Sequence, residues 1–208
     1  KALLVGASGG SRPTVTTAMS RPQVSVLMAT FNAAATLEAS LASVFAQTIR
    51  LQLVVADGGS SDATLQILRS HKERIDELVL GPDLGVYDGL NKAAAHASAP
   101  YCFVLGSDDQ LADASSLERL IDKGGNADVI YGDVEHVGRH GARAVIAAAP
   151  LPTFKYGMPF SHQAVLVRTG LMREIPFGMS LASDYRHFVV VLGHPEYYPR
   201  FGFRRASD

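Results

Sequence analysis

The sequence predicts an α/β fold of Rossmann-like type: a mostly parallel central sheet with helices on both faces, grading into a mixed, antiparallel second half. Three observations lead there. Short apolar runs at 24–29, 51–56, 78–80 and 101–105 have the near-continuous hydrophobicity of strands buried on both faces. Helical spacing of apolar residues fills the intervals between them. The connections are only a few residues long, which favours crossover helices packed directly on the sheet.

Each element has its own local signal. After the strand at 24–29, Leu37, Leu41, Val44, Phe45 and Thr48 recur on one helical face. The strand at 51–56 ends at Asp57 and a Gly-Gly-Ser-Ser turn, and Asp62 is placed to cap a helix whose apolar side is Leu65, Ile67 and Leu68. A short strand at 78–80 follows, then a helix over about 87–97, which leads through Pro100 into the strand at 101–105. Beyond Asp109 the regularity weakens. Ser115 or Ser116 starts a short helix through Leu120, 128–131 reads as a strand and 143–146 as an antiparallel one. Pro150, Pro152 and Pro159 mark a long loop, 164–167 is a further strand, and 185–192 is helical.

At 208 residues, 47% hydrophobic and 19% charged, the chain is long enough for one well-buried core and short for two. Residues 22–208 are expected to form that domain. Residues 1–21 are rich in Gly, Ser and Thr and read as a flexible leader or the tail of something upstream; Met19 is a candidate natural start. The run Gly6-Ala7-Ser8-Gly9-Gly10 does not serve as a dinucleotide loop, because Pro13 follows and no apolar helix does. A formal net charge of −1 argues against nucleic acid. The single cysteine, Cys102, lies within an apolar strand and reads as a buried, inert thiol, which suits a reducing cytoplasm. No apolar run reaches bilayer length, so the expectation is a soluble chain with at most peripheral membrane association. The seven histidines form no zinc spacing.

Three strands end in polar clusters: Thr30-Phe31-Asn32, Asp57-Gly58-Gly59-Ser60 and Ser107-Asp108-Asp109. In a parallel sheet those ends share one edge, where ligands bind. Adjacent carboxylates at a strand end repel one another unless a cation or hydroxyl shares the site, and a hard divalent cation holding phosphate oxygens resolves that repulsion. An aromatic ring, an acceptor carboxylate and an acid pair along one edge would hold a base, a ribose and a diphosphate in turn. Taken singly, Asn32 and Asp62 are also ordinary caps, Gly58-Gly59 an ordinary turn and Phe31 an ordinary core ring.

With these residues in view, the chain resembles the family 2 glycosyltransferases of GT-A fold. The matching stretches are 24–32, 54–64 and 105–109, and Gly85-Val86-Tyr87-Asp88-Gly89-Leu90-Asn91-Lys92 resembles a segment of the bacterial polysaccharide-building subgroup. The similarity runs from about Gln23 to Leu192. Relatives usually continue past the position of Asp208, so the C-terminal end is expected to be truncated.

The resemblance implies an inverting transfer of a sugar from a nucleoside diphosphate donor, UDP-linked by expectation, to a saccharide or lipid-linked acceptor. It implies that Thr30, Phe31 and Asn32 line the base pocket and that Asp57 accepts the base N–H. Asp88 and Ser107 belong to the donor site, and Asp108 takes ribose or sugar hydroxyls. Asp109 holds Mg²⁺ or Mn²⁺, and Lys92 neutralises charge on the leaving diphosphate. It implies that Asp184 is the base that deprotonates the acceptor, with helix capping as the rival role. Asp133 and His162 fall on the acceptor side or beside the metal. Where the family usually carries a second acid after Asp57, this chain has Gly58. Two other functions stay open: a binding module of the same fold without turnover, and a nucleotidyltransferase, although 30–34 lacks the cations expected of that class.

Overall fold

The computed structural model describes residues 21–138, 140–149, 161–174 and 177. Strands β1 (Val24–Thr30), β2 (Leu51–Asp57), β3 (Glu77–Leu80), β4 (Tyr101–Val104), β5 (Val129–Tyr131) and β8 (Val165–Arg168) form a six-stranded sheet in the order β3-β2-β1-β4-β8-β5. The β1–β2, β2–β3 and β1–β4 pairs are parallel, and β8 runs antiparallel to both β4 and β5. Strand β5 therefore points the same way as β1. The C-terminal ends of β1, β2, β3, β4 and β5, and the N-terminal end of β8, share one edge. Chain order reverses its direction of travel at β1, with β2 on one side and β4 on the other, which opens a crevice at that edge.

Two cores sandwich the sheet. On one face, Val24, Val26 and Met28 of β1 pack with Leu37, Leu41 and Val44 of α1 (Leu37–Phe45), Leu68 of α2 (Thr64–Ser70) and Leu117 of α4 (Ser116–Gly124). On the other, Leu27, Val54 and Ala56 pack with Leu90, Ala93 and Ala94 of α3 (Val86–Ala95) and Met172 of α5 (Thr169–Glu174). Alternate residues of β1 thus serve opposite cores, and all six from Val24 to Met28 together with Thr30 are shielded, so the strand reads apolar throughout. Each fully buried Leu or Val here contributes on the order of 2 kcal/mol. The alanines of α3 let that helix ride close to β1 and β2, which brings its N-terminal turn to the crevice edge.

The parallel half matches its sequence expectation closely, and the second half less so. Arg143–Ile146, expected as antiparallel, is β7, and its partner is β6 (Val134–Val137), a strand that the sequence reading left out. Val-Glu-His-Val has one polar pair inside it and is exposed, so it carries no burial pattern. Helix α5 was likewise unexpected, being short and capped by no typical residue. Asp62 sits one residue before the cap position of α2, which is Ala63, although its Oδ1 still accepts from Thr64 N at 2.9 Å. Cys102 is fully buried beside Thr169 Oγ1, and burial pushes its thiol pKa up, as expected of an inert thiol. The leader, the proline-marked loop at 150–160 and the helix expected at 185–192 lie outside the described residues. Among the described residues, no helix is long and apolar enough to cross a membrane.

Candidate active site

The tips of β1 and β2 are laced together residue by residue. Their register pairs Thr30 with Asp57. Asp57 is 2% exposed, and its carboxylate accepts four hydrogen bonds: Gly59 N (3.1 Å) and Ser60 N (2.9 Å) on Oδ1, Thr30 Oγ1 (2.9 Å) and Ser60 Oγ (2.6 Å) on Oδ2. A carboxylate offers about four acceptor positions, so this one is filled from within the chain. The sequence reading gave Asp57 a direct bond to a nucleobase. In this geometry such a bond displaces an internal donor, and the role the contacts support is positioning of Thr30 and Ser60.

Just past β1, Phe31 is 64% exposed, presenting a ring rather than filling the core. Asn32 stands at φ 51°, a left-handed conformation that Asn tolerates better than most residues. Its Oδ1 accepts from Ser61 N at 2.9 Å and its own N donates to Ser60 Oγ at 2.9 Å, tying the β1–α1 loop to the β2–α2 loop. Thr30 is buried, whereas Phe31 and Asn32 are exposed, and of the three base-pocket candidates only Phe31 offers a ring.

Across the crevice, the acid pair follows β4. Leu105 N donates to Leu27 O, and Asp109 N to Gly106 O, closing a tight turn. Ser40, fully buried on α1, donates its hydroxyl to the backbone oxygens of Gly106 and Asp109, fixing the turn from beneath. A Cβ built on Gly106 would stand 2.8 Å from Asp109 Oδ2 and 2.9 Å from Asp108 Oδ1. Both carboxylates therefore lean over one glycine from a common side. Burial first, and the Asp108 charge second, push the Asp109 carboxyl above its ordinary range; Gln163 Nε2, donating to Oδ2 at 2.9 Å, and His162 pull it partly back. Burial holds the His162 imidazole below its usual value against the pull of Asp109.

That cradle suits a hard divalent cation, since two oxygens converge where negative charge is already uncomfortable. Among the described residues no group of three His, Cys, Asp or Glu side chains could hold a metal, so the rest of a shell would fall to water and substrate oxygens.

On α3, Asp88 Oδ2 lies 2.9 Å from Lys92 Nζ and accepts from Leu84 N at 3.1 Å; the Lys92 hydrogen bond is the main reason its carboxyl sits below the ordinary range. Lys92 also donates to Pro82 O at 2.8 Å, so among the described residues one of its three protons is uncommitted. These two candidates brace the 81–85 loop. Farther along the edge, Asp133 follows β5 and accepts from Ala148 N at 2.8 Å, anchoring the β6–β7 hairpin. His162 precedes β8, between β4 and β5 in sheet order. The edge thus runs from Asp57 through Thr30, Ser107, Asp108, Asp109 and His162 to Asp133, and Asp184 lies outside the described residues.

Three contributors escaped the sequence reading. Ser40 was readable only as a polar residue on an apolar helix face. Gln163 was visible as the neighbour of His162. Asp83 had no sequence signal: its carboxylate packs where a Cβ on Gly58 would fall, 2.5 Å from Oδ2, and against Gly89 at 3.0 Å.

A family model described as "Glycosyl transferase family 2" matches residues 25–180. The chain is 34% identical over 164 residues to the PGL/p-HBAD biosynthesis glycosyltransferase of Mycobacterium tuberculosis, covering 76% of this chain and 63% of that relative. It is 39% identical over 85 residues to the validoxylamine A glucosyltransferase of Streptomyces hygroscopicus, covering 38% of this chain and 20% of that one. Among solved structures, S. aureus TarS 1–349 in complex with UDP-GlcNAc superposes with a TM-score of 0.59 at 22% identity, covering 74% of this chain and 48% of that chain. The mannosyltransferase PcManGT from Pyrobaculum calidifontis, in complex with GDP-Man and Mn²⁺, gives 0.56 at 22% identity, covering 76% and 48%. At that identity the structural likeness bears on the fold, and it agrees with the expected GT-A architecture.

Proposed function

The chain belongs to glycosyl transferase family 2, and from that premise we propose that it transfers a sugar from a UDP-linked donor to a saccharide or lipid-linked acceptor, inverting the anomeric centre. The observation that carries this reading is the pair of carboxylates leaning over Gly106 at the crevice between β1 and β4. The chain spans 63% of the mycobacterial relative's length, and that relative is itself named a glycosyltransferase. TarS binds UDP-GlcNAc and PcManGT binds GDP-Man with Mn²⁺, which supports a nucleotide sugar and a divalent cation here.

Asp109, and with it Asp108, would hold Mg²⁺ or Mn²⁺; when bound, such an ion neutralises charge on the departing nucleoside diphosphate. Asp108, the more exposed of the two, receives ribose or sugar hydroxyls, with Ser107 beside it. Gln163 orients the Asp109 carboxylate through its 2.9 Å bond. Phe31 gives the base a ring to lie against. Lys92 adds positive charge near the 81–85 loop, and Asp88 holds it there. On the far side, His162 and Asp133 border the space left for the acceptor, and Asp184 takes the proton from its attacking hydroxyl. A lipid-linked acceptor would bring the chain to the cytoplasmic face of a membrane.

Isothermal titration calorimetry with UDP and Mn²⁺ tests the reading. Binding that requires Mn²⁺ and is lost in Asp109→Ala is the expected result. Metal-independent binding, or full binding by the variant, would overturn it. Product analysis separates it from nucleotidyl transfer, since only the latter releases pyrophosphate. Donor hydrolysis lost in Asp184→Asn with donor affinity retained supports Asp184 as the base.

A further inference from the structure

We infer that Asp83, rather than Asp57, is the residue that selects the donor's base, accepting a hydrogen bond from a ring N–H on the base's Watson–Crick edge. The inference rests on the donor reading above and deepens it, because it names the atom that reads the base and hence the class of base accepted.

Four observations converge. The Asp57 carboxylate is 2% exposed and already accepts four internal hydrogen bonds. Asp83 is half-buried, at the same sheet edge, and only its Oδ1 is committed, to Gly85 N at 3.0 Å. Among the described residues its Oδ2 accepts no hydrogen bond. That oxygen occupies a slot between two residues without side chains: a Cβ would stand 2.5 Å away on Gly58 and 3.0 Å away on Gly89. Finally, Gly58 N donates to Thr30 O at 3.0 Å, so the slot adjoins the residue that precedes the exposed ring of Phe31.

The missing Cβ at Gly58 is therefore used. Any side chain there would push the Asp83 carboxylate off the β2 tip, whereas glycine lets a residue from the β3–α3 loop bring its charge to the end of β1 and β2. The Gly85 N bond and the turn it closes hold that carboxylate in one orientation with Oδ2 free.

An ionised carboxylate only accepts. Uracil and thymine present N3–H, and guanine N1–H, to such a group. Cytosine N3 and adenine N1 present lone pairs, which a half-buried acceptor leaves unpaired and repelled. The site is thus matched to bases that carry a ring N–H, and UDP against CDP is the sharpest comparison, since the two differ at N3 and the neighbouring exocyclic group.

The test is calorimetry on the full chain with Mn²⁺, using UDP, CDP and inorganic pyrophosphate as probes of wild type, Asp83→Asn and Asp83→Ser. Serine can still accept from Gly85 N, and asparagine keeps the shape while offering an N–H; thermal melts confirm that each variant is folded. Wild type is expected to favour UDP over CDP by roughly tenfold or more, the scale of one hydrogen bond to a charged group. Asn is expected to bring that ratio to about one or reverse it, with pyrophosphate affinity unchanged. A purely structural Asp83 would weaken all three probes alike. An unchanged UDP-to-CDP ratio in a folded variant, a parallel loss of all three probes, or a wild type that does not discriminate overturns the inference and leaves the donor reading standing. A wild type that binds none of the three with Mn²⁺ overturns the donor reading itself.

Discussion

Two aspartates end parallel strands of the same sheet, and their surroundings are opposite. Asp57, the last residue of β2, is sealed from solvent and receives two backbone N–H groups and two hydroxyls. Asp109, after β4, faces a like charge on Asp108 and has one side-chain donor, Gln163. Desolvation penalises a charge in both places; at Asp57 the protein fills every acceptor position, whereas at Asp109 it compensates only in part, through Gln163 and His162. An acid satisfied from within is scaffold. An acid left in need of positive charge is where a ligand contributes most, and the structure shows that need in the upward displacement of the Asp109 carboxyl.

The largest effect that would break this contrast is on turnover. Asp109→Ala is expected to lower the transfer rate by at least ~100-fold, the scale seen when one electrostatic element of a charge-building transition state is removed. Folding stability should change by less than about 1 kcal/mol, because the substitution also relieves repulsion with Asp108. Steady-state kinetics beside urea denaturation checks both halves. Retention of a tenth or more of the wild-type rate would return Asp109 to the status of an ordinary turn acid.

At Asp57 the balance reverses. Asp57→Ala removes the acceptor shared by the buried Thr30 and Ser60 hydroxyls and by the amides of Gly59 and Ser60. With partial relaxation, a loss of about 3 kcal/mol is expected. The urea midpoint should fall at constant slope. A loss below about 1 kcal/mol would mean that water reaches those groups and that Asp57 is free enough to meet a ligand directly.

These outcomes also bear on what was legible before the fold was known. The strand tips were legible because β1, β2 and β4 are shielded on both faces: their apolar runs are nearly unbroken, and the polar residues that end them stand out. The convergence of Thr30, Asp57 and Asp109 on one edge follows from parallel pairing alone, which short connections imply. What the Asp57 oxygens bind was not legible, since Ser60 becomes a double donor only through the turn's geometry. Nor was Asp83, whose placement depends on two absent Cβ atoms in other elements. Strand β6 was hidden for another reason: it is solvated and, among the described residues, paired only to β7, so no burial pattern marks it. Contacts between side chains from separate elements, more than the elements themselves, resist reading from one sequence.

A smaller effect sharpens the picture at Asp109 through acidity. Its folded pKa lies above the ordinary 3.8, so the folded chain binds this proton more tightly than the unfolded chain does. Stability from this group is therefore highest below 3.8 and declines as pH rises toward the folded value. Asp108→Asn removes the Coulombic cause and leaves burial, so it should narrow that window from above without closing it. Denaturation curves in chelator from pH 3 upward would reveal it; a window of unchanged width would show that Asp108 does not act on its neighbour.

The smallest expected effect comes from a third acid on the same loop. Asp113, like Asp57, accepts four hydrogen bonds: Arg119 Nη1 at 2.8 Å and Nη2 at 2.6 Å, Ser115 N at 2.9 Å and Ser115 Oγ at 3.0 Å. Unlike Asp57 it is open to solvent, with 48% of its side chain exposed. The Arg119 bonds first, and those of Ser115 next, hold its carboxyl far below the usual range. The sign is opposite to that of Asp109: its contribution is present above 3.8 and disappears as pH falls toward the folded value. Water can replace every one of its partners, and salt screens the Arg119 charge. Asp113→Asn should therefore move the urea midpoint at neutral pH by far less than Asp57→Ala does, and the shift should shrink in high salt and vanish in strong acid. If Asp113→Asn instead costs as much as Asp57→Ala, hydrogen-bond number rather than burial governs these acids, and the distinction between scaffold and binding aspartates must rest on ligand measurements alone.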